Sequence, residues 1–582
     1  MHINFKYIWK RLRHLFAPQK RDKESKDALP QPWLKHYDLG VPDKIYIPRI
    51  TLNDIMQHSA DIHKNRIAFR FFGKKFTFHK MESIVQCFAA AFHDVGIRKG
   101  DRIALLLPNT PQFLFSYWGA LRIGAIVVPI NPLLAGREIS ALLDIVNPKI
   151  FIALDSIYEK IDQQKKLQKI DHIILTAVDE FMPTLARLVF SLQRRRFGKS
   201  GKTKHLSGIQ FKNLAKKRPL LSLENVRPAD TAALIFTGGV TGIPKAVELT
   251  HQNLVANLLQ TRAWLGDIRD GHDRVMGVLP FFHSYGMTTC HHLAIQVGAT
   301  LIVEPRFNVQ RIIRLIKKYK VTIFPGVPTM YRAIVDVISE TKQRLDDVRV
   351  CVSGGAPLSA TLKREFEQLT SSKLVEGYGL SEASPLTHCN PLFGKQKPGS
   401  IGLPCPNTQA RIVHIKTGET VPPDTKGELW VKGPQVMRAY WKNEAETRKV
   451  LSADGWLATG DIARMDQDGY FYIIDRKKEI ILSGGFNIYP SEVEAVLLMR
   501  PEVKECAVIG IPDNFYGEIV KAFVVLQRGK LCEEQDLLAF CRINLAHFKV
   551  PKNITFVQSL PKNFLGKVLK RNLIQSTNTS SK

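Results

Sequence analysis

The densest run of residues able to do chemistry lies at 235–245: Ile235-Phe236-Thr237-Gly238-Gly239-Val240-Thr241-Gly242-Ile243-Pro244-Lys245. Glycines let backbone N–H groups converge on an anion, threonine hydroxyls add donors, and the lysine brings a point charge suited to phosphate oxygen. A Walker loop would end in GK[ST] and open directly into a helix. Here residues 246–249 (Ala-Val-Glu-Leu) alternate as a strand does, and a helical pattern begins only near His251. A ligand-free glycine-rich hairpin has the same composition, so alone the run says only that phosphate can bind.

Other reactive side chains are spread downstream: His283, Tyr378, Glu382, Asp461, Arg476 and Lys567. Taken singly, each has a plainer reading. The acids could cap helices, Arg476 could hold an interface ion pair, Tyr378 could be core, and Lys567 could be a solvated charge in a basic tail. Cys290-His291-His292 suggests metal ligands, but adjacent residues rarely face one site, and the triplet reads as helix packing.

The elements that must position these groups follow from periodicity. A buried strand at 102–107 precedes a helix near 112–122, and 124–129 is a second short strand. Strands separated by helices of that length imply a layered α/β domain with parallel sheet. Residues 155–227 are more polar and basic and read as an irregular surface excursion. Alternation resumes from 230 to about 413, and 427–431 and 469–474 look like antiparallel strands. Beyond Asp475 the pattern becomes α+β: helix 490–499, strands 503–511 and 521–526, and helix 533–545. The expected fold is α/β, with a large N-terminal domain of layered sheets and helices and a small α+β C-terminal lid. The expected divisions are 1–41, a basic arm and linker; 42–474, the main domain; and 475–582, the lid.

The chain has 582 residues, 45% hydrophobic and 23% charged, which is ordinary globular composition. Its eight cysteines are scattered without a CxxC pair, as in a reduced, cytoplasmic protein. The net charge of +30 favours an anionic partner. No stretch approaches the ~18 apolar residues of a spanning helix. Phe5, Ile8, Trp9, Leu12, Leu15 and Phe16 recur at helical spacing among Lys6, Lys10, Arg11 and Arg13. Such a helix suits either a bilayer interface or docking on its own domain. The Arg194-Arg195-Arg196 run adds a second basic-apolar stretch.

In order along the chain, several segments resemble motifs of the adenylate-forming superfamily of acyl-CoA synthetases, adenylation domains and luciferases, most of all bacterial long-chain fatty-acid–CoA ligases. After the phosphate run come Leu279-Pro280-Phe281-Phe282-His283-Ser284, Ser353-Gly354-Gly355-Ala356-Pro357, Glu376-Gly377-Tyr378-Gly379-Leu380-Ser381-Glu382 and Trp456-Leu457-Ala458-Thr459-Gly460-Asp461. Asp475-Arg476-Lys477-Lys478-Glu479, Gly484-Gly485-Phe486-Asn487-Ile488-Tyr489-Pro490 and Leu560-Pro561-Lys562-Asn563-Phe564-Leu565-Gly566-Lys567 complete the series. The resemblance runs from about Thr51 to Leu573, loosely over 155–227.

The resemblance implies an enzyme that joins a fatty acid to ATP as an acyl-adenylate and then to CoA, with ATP, Mg²⁺ and CoA as cofactor and co-substrates. It places the β- and γ-phosphates on Thr237, Gly238, Gly239, Thr241, Gly242 and Lys245, and Mg²⁺ on Glu382, a hard carboxylate ligand. Adenine falls to Tyr378, Gly354, Gly355 and Ala356, with Gly379 and Ser381 in the same nucleotide pocket. Asp461 and Arg476 take the ribose, Lys567 the carboxylate and α-phosphate, and His283 the carboxylate end of the acyl pocket. Asp475 is the implied hinge, with Gly484 and Gly485 at the pantetheine channel. Other implied partners are an anionic membrane touched peripherally at its cytoplasmic face and a second copy in a homodimer, with no nucleic acid. Two alternatives stand beside this: an acyl-AMP ligase loading a carrier protein, and a catalytically weak, membrane-bound acyl-binding scaffold. Against the first, no insertion appears around 459–476.

Three positions depart from the family pattern: Val240 for Thr, Ala246 for Gly, and Ser381 for Thr, which keeps its hydroxyl. None removes a charge. A hydrogen bond to a charged group is worth roughly 1.5–3 kcal/mol, so Val240 costs the loop one donor. Val240→Thr should therefore accelerate adenylation, by roughly tenfold or more; an unchanged rate would show that backbone donors already suffice.

Overall fold

The computed structural model describes residues 30–158, 170–184, 186–188, 211–218, 225–237, 244–483, 486–513, 516–563 and 566–579. The amphipathic arm at 5–16 and the Arg194–Arg196 run lie outside the described residues. The chain divides into two compact units. One holds Met1–Gln409 with Lys432–Leu457, and the other holds Ala410–Val431 with Ala458–Lys582. The division expected from sequence lies at Asp475, and the structure groups Ala410–Val431 and the residues from Ala458 with the C-terminal segment.

The first unit is built on two large sheets. In the nine-stranded sheet six neighbouring strands run parallel: Lys373–Gly379, Val350–Ser353, Ile323–Gly326, Arg274–Gly277, Thr300–Val303 and Ile67–Phe71. Antiparallel strands close its edges. The seven-stranded sheet has a parallel core of His172–Thr176, Ile150–Leu154, Arg102–Leu106, Ile126–Pro129 and Thr231–Thr237. Thus part of 155–227 is ordered sheet rather than an irregular excursion. His172–Thr176 adds an edge strand, and the short helix Phe211–Leu214 buries Phe211 and Leu214. The sequence signal was hidden because a short β-prone run sits within a long basic stretch.

Helices cover these sheets for reasons legible in their ends. Pro111–Arg122 starts with Pro at its first turn, where no N–H is needed, and Thr110 accepts from Phe113 N–H. Asn308 and Ser359 cap Val309–Tyr319 and Ala360–Thr370 in the same way. Together with Pro328–Glu340, the last two pack on the larger sheet through Ile312, Ile313, Ile316, Ile334 and Phe366, all buried. Tyr331 lies among them, its hydroxyl 2.7 Å from Phe324 O and 2.9 Å from Val352 O.

The second unit contains a four-stranded sheet, Gln409–Val413, Gly427–Lys432, Leu457–Met465 and Phe471–Arg476. Its five-stranded sheet is dominated by the antiparallel pair Val503–Asp513 and Gly517–Leu526. Helices Pro490–Leu497 and Glu534–Asn544 pack on that sheet through Val493, Leu497, Leu537 and Cys541. Among the described residues, no helix is long and apolar enough to cross a membrane.

Ile334 is fully enclosed, so Ile334→Ala removes three carbons from a site with little room to collapse. The expected loss is about 2–5 kcal/mol, read as a lower denaturant midpoint for the first unit.

Candidate functional site

Strands Thr231–Thr237 and Lys245–Thr250 form an antiparallel hairpin in which Thr237 pairs with Lys245. The glycine-rich run therefore closes the hairpin, and Lys245 stands at its base. Gly238, Gly239, Val240, Thr241 and Gly242 lie outside the described residues. Ala439–Tyr440 adds a third strand, with Tyr440 opposite Val247. That register brings the Tyr440 ring under the Lys245 ammonium, 4.7 Å from the ring centroid. The Lys245 side chain, only 11% exposed, is also ion-paired with Glu446.

The same tyrosine reaches Glu382. Its hydroxyl donates to Glu382 Oε1 at 2.9 Å, and Met437 N–H donates to the Glu382 carbonyl at 2.8 Å. Tyr440 thus ties a phosphate-type lysine to a carboxylate able to hold a hard cation. Glu382 sits in the short turn Ser381–Ala383, followed by Ser384 at φ +72. A side chain at Gly379 would place its Cβ 2.1 Å from Pro385 O, so only glycine lets the chain double back there.

Helix His251–Trp264 positions both partners. Asn257 donates to Leu386 O at 2.7 Å and accepts from Leu386 N–H at 3.0 Å. Asn253 donates to Pro434 O at 2.9 Å and Val436 O at 2.8 Å. Gln260, buried, donates to Pro406 O at 2.7 Å and is 3.0 Å from Gln435 Oε1. Covered on all sides, this helix spends its polar side chains on backbone that would otherwise be orphaned.

His283 caps the next short helix, accepting from Tyr285 N–H at Nδ1 (3.2 Å). Burial lowers its pKa to about 4, so at neutral pH the ring is uncharged and its proton rests on Nε2. Ser284 Oγ lies 3.4 Å from Ser381 Oγ, joining this segment to the Glu382 turn. Tyr285 packs against Gly354, where a Cβ would approach its ring to 3.1 Å. Gly355 takes φ +81, Ala356 follows half-buried, and Tyr378 packs edge-on against His388. Cys290, His291 and His292 are buried in one helical turn among aromatic rings. No group of three or more His, Cys, Asp or Glu side chains fit to hold a metal occurs among the described residues.

In the second unit, Asp461 and Arg476 face each other across paired strands, with Arg476 Nε 2.8 Å from Asp461 Oδ1. Lys567 joins them. Its ammonium is held below the ordinary lysine range by the protein packed around it, then by the Arg476 cation, while Asp461 and Glu479 pull the other way. Lys567 N–H donates to Asn563 Oδ1 at 2.9 Å after Gly566 at φ +81. Asp475 accepts from Ser491 N–H at 2.9 Å and from Arg476 N–H at 3.0 Å, tying the strand's end to helix Pro490–Leu497. Gly484 and Gly485 lie outside the described residues.

A family model described as AMP-binding enzyme matches residues 56–441. A second, AMP-binding enzyme C-terminal domain, matches 492–567. The chain belongs to the AMP-binding enzyme family. It is 42% identical over 548 residues to the long-chain-fatty-acid–CoA ligase of Bacillus subtilis (strain 168), covering 94% of this chain and 98% of that one. The corresponding ligase of Yersinia pestis is 37% identical over 93% of this chain and 97% of its own. Among solved structures, ATP-bound MatB from Rhodopseudomonas palustris superimposes with a TM-score of 0.79 at 26% identity, over 92% of this chain and 100% of that one. A Mycobacterium tuberculosis fatty acyl CoA synthetase gives 0.69 at 28%, over 91% and 99%.

Within this AMP-binding enzyme, two sequence-predicted groups come together: Thr237, Lys245, Glu382, Ser381 and His283 around the hairpin, and Asp461, Arg476 and Lys567 in the second unit. Two participants escaped sequence reasoning, Tyr440 and Glu446. Neither lies in a glycine-marked turn; the only signal was the Tyr440-Trp441 pair before a short capped helix.

Burial raises the Glu376 carboxyl from an ordinary 4.5 to about 7, although Leu358 N–H, 3.2 Å away, favours its charged form. Below 4.5 the group is neutral in both states, so it adds no cost. Between 4.5 and about 7 the folded protein binds more protons than the unfolded chain, so stability falls as pH rises. Glu376→Gln does not titrate. Its melting temperature should gain on the parent protein across that window and hold a constant lead above it; a pH-independent difference would refute the shift.

Proposed function

We propose that the protein is an ATP-dependent long-chain fatty acid–CoA ligase. The supporting observation is the Lys245–Tyr440–Glu382 arrangement at the base of the glycine-rich hairpin, in an AMP-binding enzyme most of whose length matches long-chain-fatty-acid–CoA ligases. In the first half-reaction a fatty-acid carboxylate oxygen attacks the α-phosphorus of ATP, and the bond to the β-phosphate bridging oxygen breaks. Acyl-adenylate and pyrophosphate result. In the second, the CoA sulfur attacks the acyl carbon, AMP leaves, and the thiol proton is released.

An anion attacking an anion requires charge neutralisation and alignment. Thr237, Gly238, Gly239, Thr241, Gly242 and Lys245 hold the β- and γ-phosphates. Gly354, Gly355, Ala356, Tyr378, Gly379 and Ser381 receive the adenine end, and Asp461 with Arg476 the ribose. Lys567 stabilises charge gathering at the α-phosphate and the attacking carboxylate. Neutral His283 serves the carboxylate end of the acyl pocket. Glu382 fits Mg²⁺ because it offers hard carboxylate oxygen, and such an ion completes its shell with phosphate and water. Bound there, the ion would neutralise phosphate charge. Asp475 is the hinge between the half-reactions, dividing 42–474 from 475–582, and Gly484 and Gly485 admit the pantetheine arm.

Peripheral contact with an anionic cytoplasmic membrane face is supported by the +30 charge and the basic arm. A homodimer is a further element of the proposal.

Two measurements on one fatty-acid panel test this reading: pyrophosphate release and CoA-thioester formation. Both should respond to long-chain acids, and Lys567→Ala should slow pyrophosphate release by roughly 10²–10³-fold, the scale of losing one preorganised donor. Consumption of preformed acyl-adenylate by CoA should change far less. Pyrophosphate without thioester would favour carrier-protein loading; no pyrophosphate from any acid would favour the acyl-binding scaffold.

A further inference from the structure

Lys245 is the one charged side chain in the glycine-rich run, yet the structure shows it already engaged. Its ammonium is ion-paired with Glu446 Oε2 and stands over the Tyr440 ring. The Lys245 side chain is 11% exposed and that of Glu446 21%. Glu446 is also firmly placed. It lies in helix Glu444–Val450, where Asn443 Oδ1 accepts from its own N–H at 3.1 Å. Thr447 Oγ1 accepts from Tyr440 N–H at 2.9 Å, locking that helix to the strand beneath Lys245. The second carboxylate oxygen of Glu446 pairs with Lys449. The two lysines hold the carboxyl well below its usual range, so Glu446 stays ionised throughout the neutral range.

An ionised carboxylate beside a phosphate-binding lysine has a definite consequence. A polyphosphate entering the hairpin must share or take the ammonium from Glu446, and meets a like charge fixed close by. That arrangement subtracts from polyphosphate affinity. It subtracts more as charge accumulates near Lys245, and so bears hardest on free pyrophosphate, which carries more charge on those phosphorus atoms than the esterified triphosphate does.

We propose that Glu446 is a positioning residue that competes with polyphosphate for Lys245, weakening retention of pyrophosphate after adenylation and recapturing the lysine once the product leaves. This rests on the reading of the hairpin as the β,γ-phosphate site. It adds that the short helix after the Tyr440 strand sets how tightly the leaving group is held.

The direction of the effect separates this role from a supporting one. If Glu446 merely propped Lys245 in place, removing its charge would loosen Lys245 and weaken polyphosphate binding. As a competitor, removing its charge strengthens binding. The experiment is calorimetric titration of inorganic pyrophosphate, with Mg²⁺, into the full-length parent protein, Glu446→Gln and Glu446→Asp, alongside steady-state kinetics in ATP. Glu446→Gln should bind pyrophosphate roughly tenfold more tightly, and the KM for ATP should fall. Its kcat should stay level or drop, because product leaves more slowly. Glu446→Asp should return toward parent behaviour. Equal or weaker pyrophosphate binding by Glu446→Gln overturns the inference while leaving the hairpin assignment intact. Failure of both parent and Glu446→Gln to bind pyrophosphate overturns the hairpin assignment itself, and this inference with it.

Discussion

One cation governs the first unit's site. The Lys245 ammonium is largely excluded from water and held against the Tyr440 ring, with a carboxylate at its side. A charge in that setting must be paired, because desolvating it alone would cost several kcal/mol. Everything nearby serves that requirement. Tyr440 gives its ring face to the lysine and its hydroxyl to Glu382; Glu446 supplies the counter-charge from a capped helix. Two groups of opposite sign, more than a hundred residues apart, are thereby fixed around one aromatic side chain.

The precision of that arrangement comes from buried polar side chains on helix His251–Trp264. Asn253, Asn257 and Gln260 bond to backbone of three separate segments, 386, 406 and 434–436. Each bond is modest alone, but a buried amide left unpaired costs about 1–3 kcal/mol, so the segments are held in one register. The glycines act where space forbids anything else, as at Gly379, where carbonyl oxygen occupies the position of a Cβ. The second unit follows the same logic on a smaller scale: a buried Asp461 tethers Arg476, and Lys567 sits in the field of both.

Much of the fold was legible because its elements obey simple periodicities and end on recognisable caps. The strand expected after Lys245 and the helix expected near His251 are Lys245–Thr250 and His251–Trp264, since alternation and a Thr cap are local signals. His172–Thr176 was missed because its partner strand Ile150–Leu154 lies about twenty residues earlier and basic residues surround it. The Cys290-His291-His292 triplet read as packing lies, as expected, within a buried turn. Tyr440 and Glu446 were invisible for a different reason. Their importance depends on the pairing of Ala439–Tyr440 with Lys245–Thr250, nearly two hundred residues away.

By itself, the sequence determined which chemical groups exist and which backbone turns they occupy: a glycine- and hydroxyl-rich hairpin ending in lysine, a glutamate after a tight glycine turn, and a lysine after a glycine near the end of the chain. Those are local properties, set by residue type and by the few conformations glycine, proline and short polar side chains favour. Only the tertiary structure decided which charges neutralise one another. Ion pairing depends on distances of a few ångströms between residues that strand order and helix packing bring together, and no local pattern records that Lys245 would meet Glu446 across the face of Tyr440.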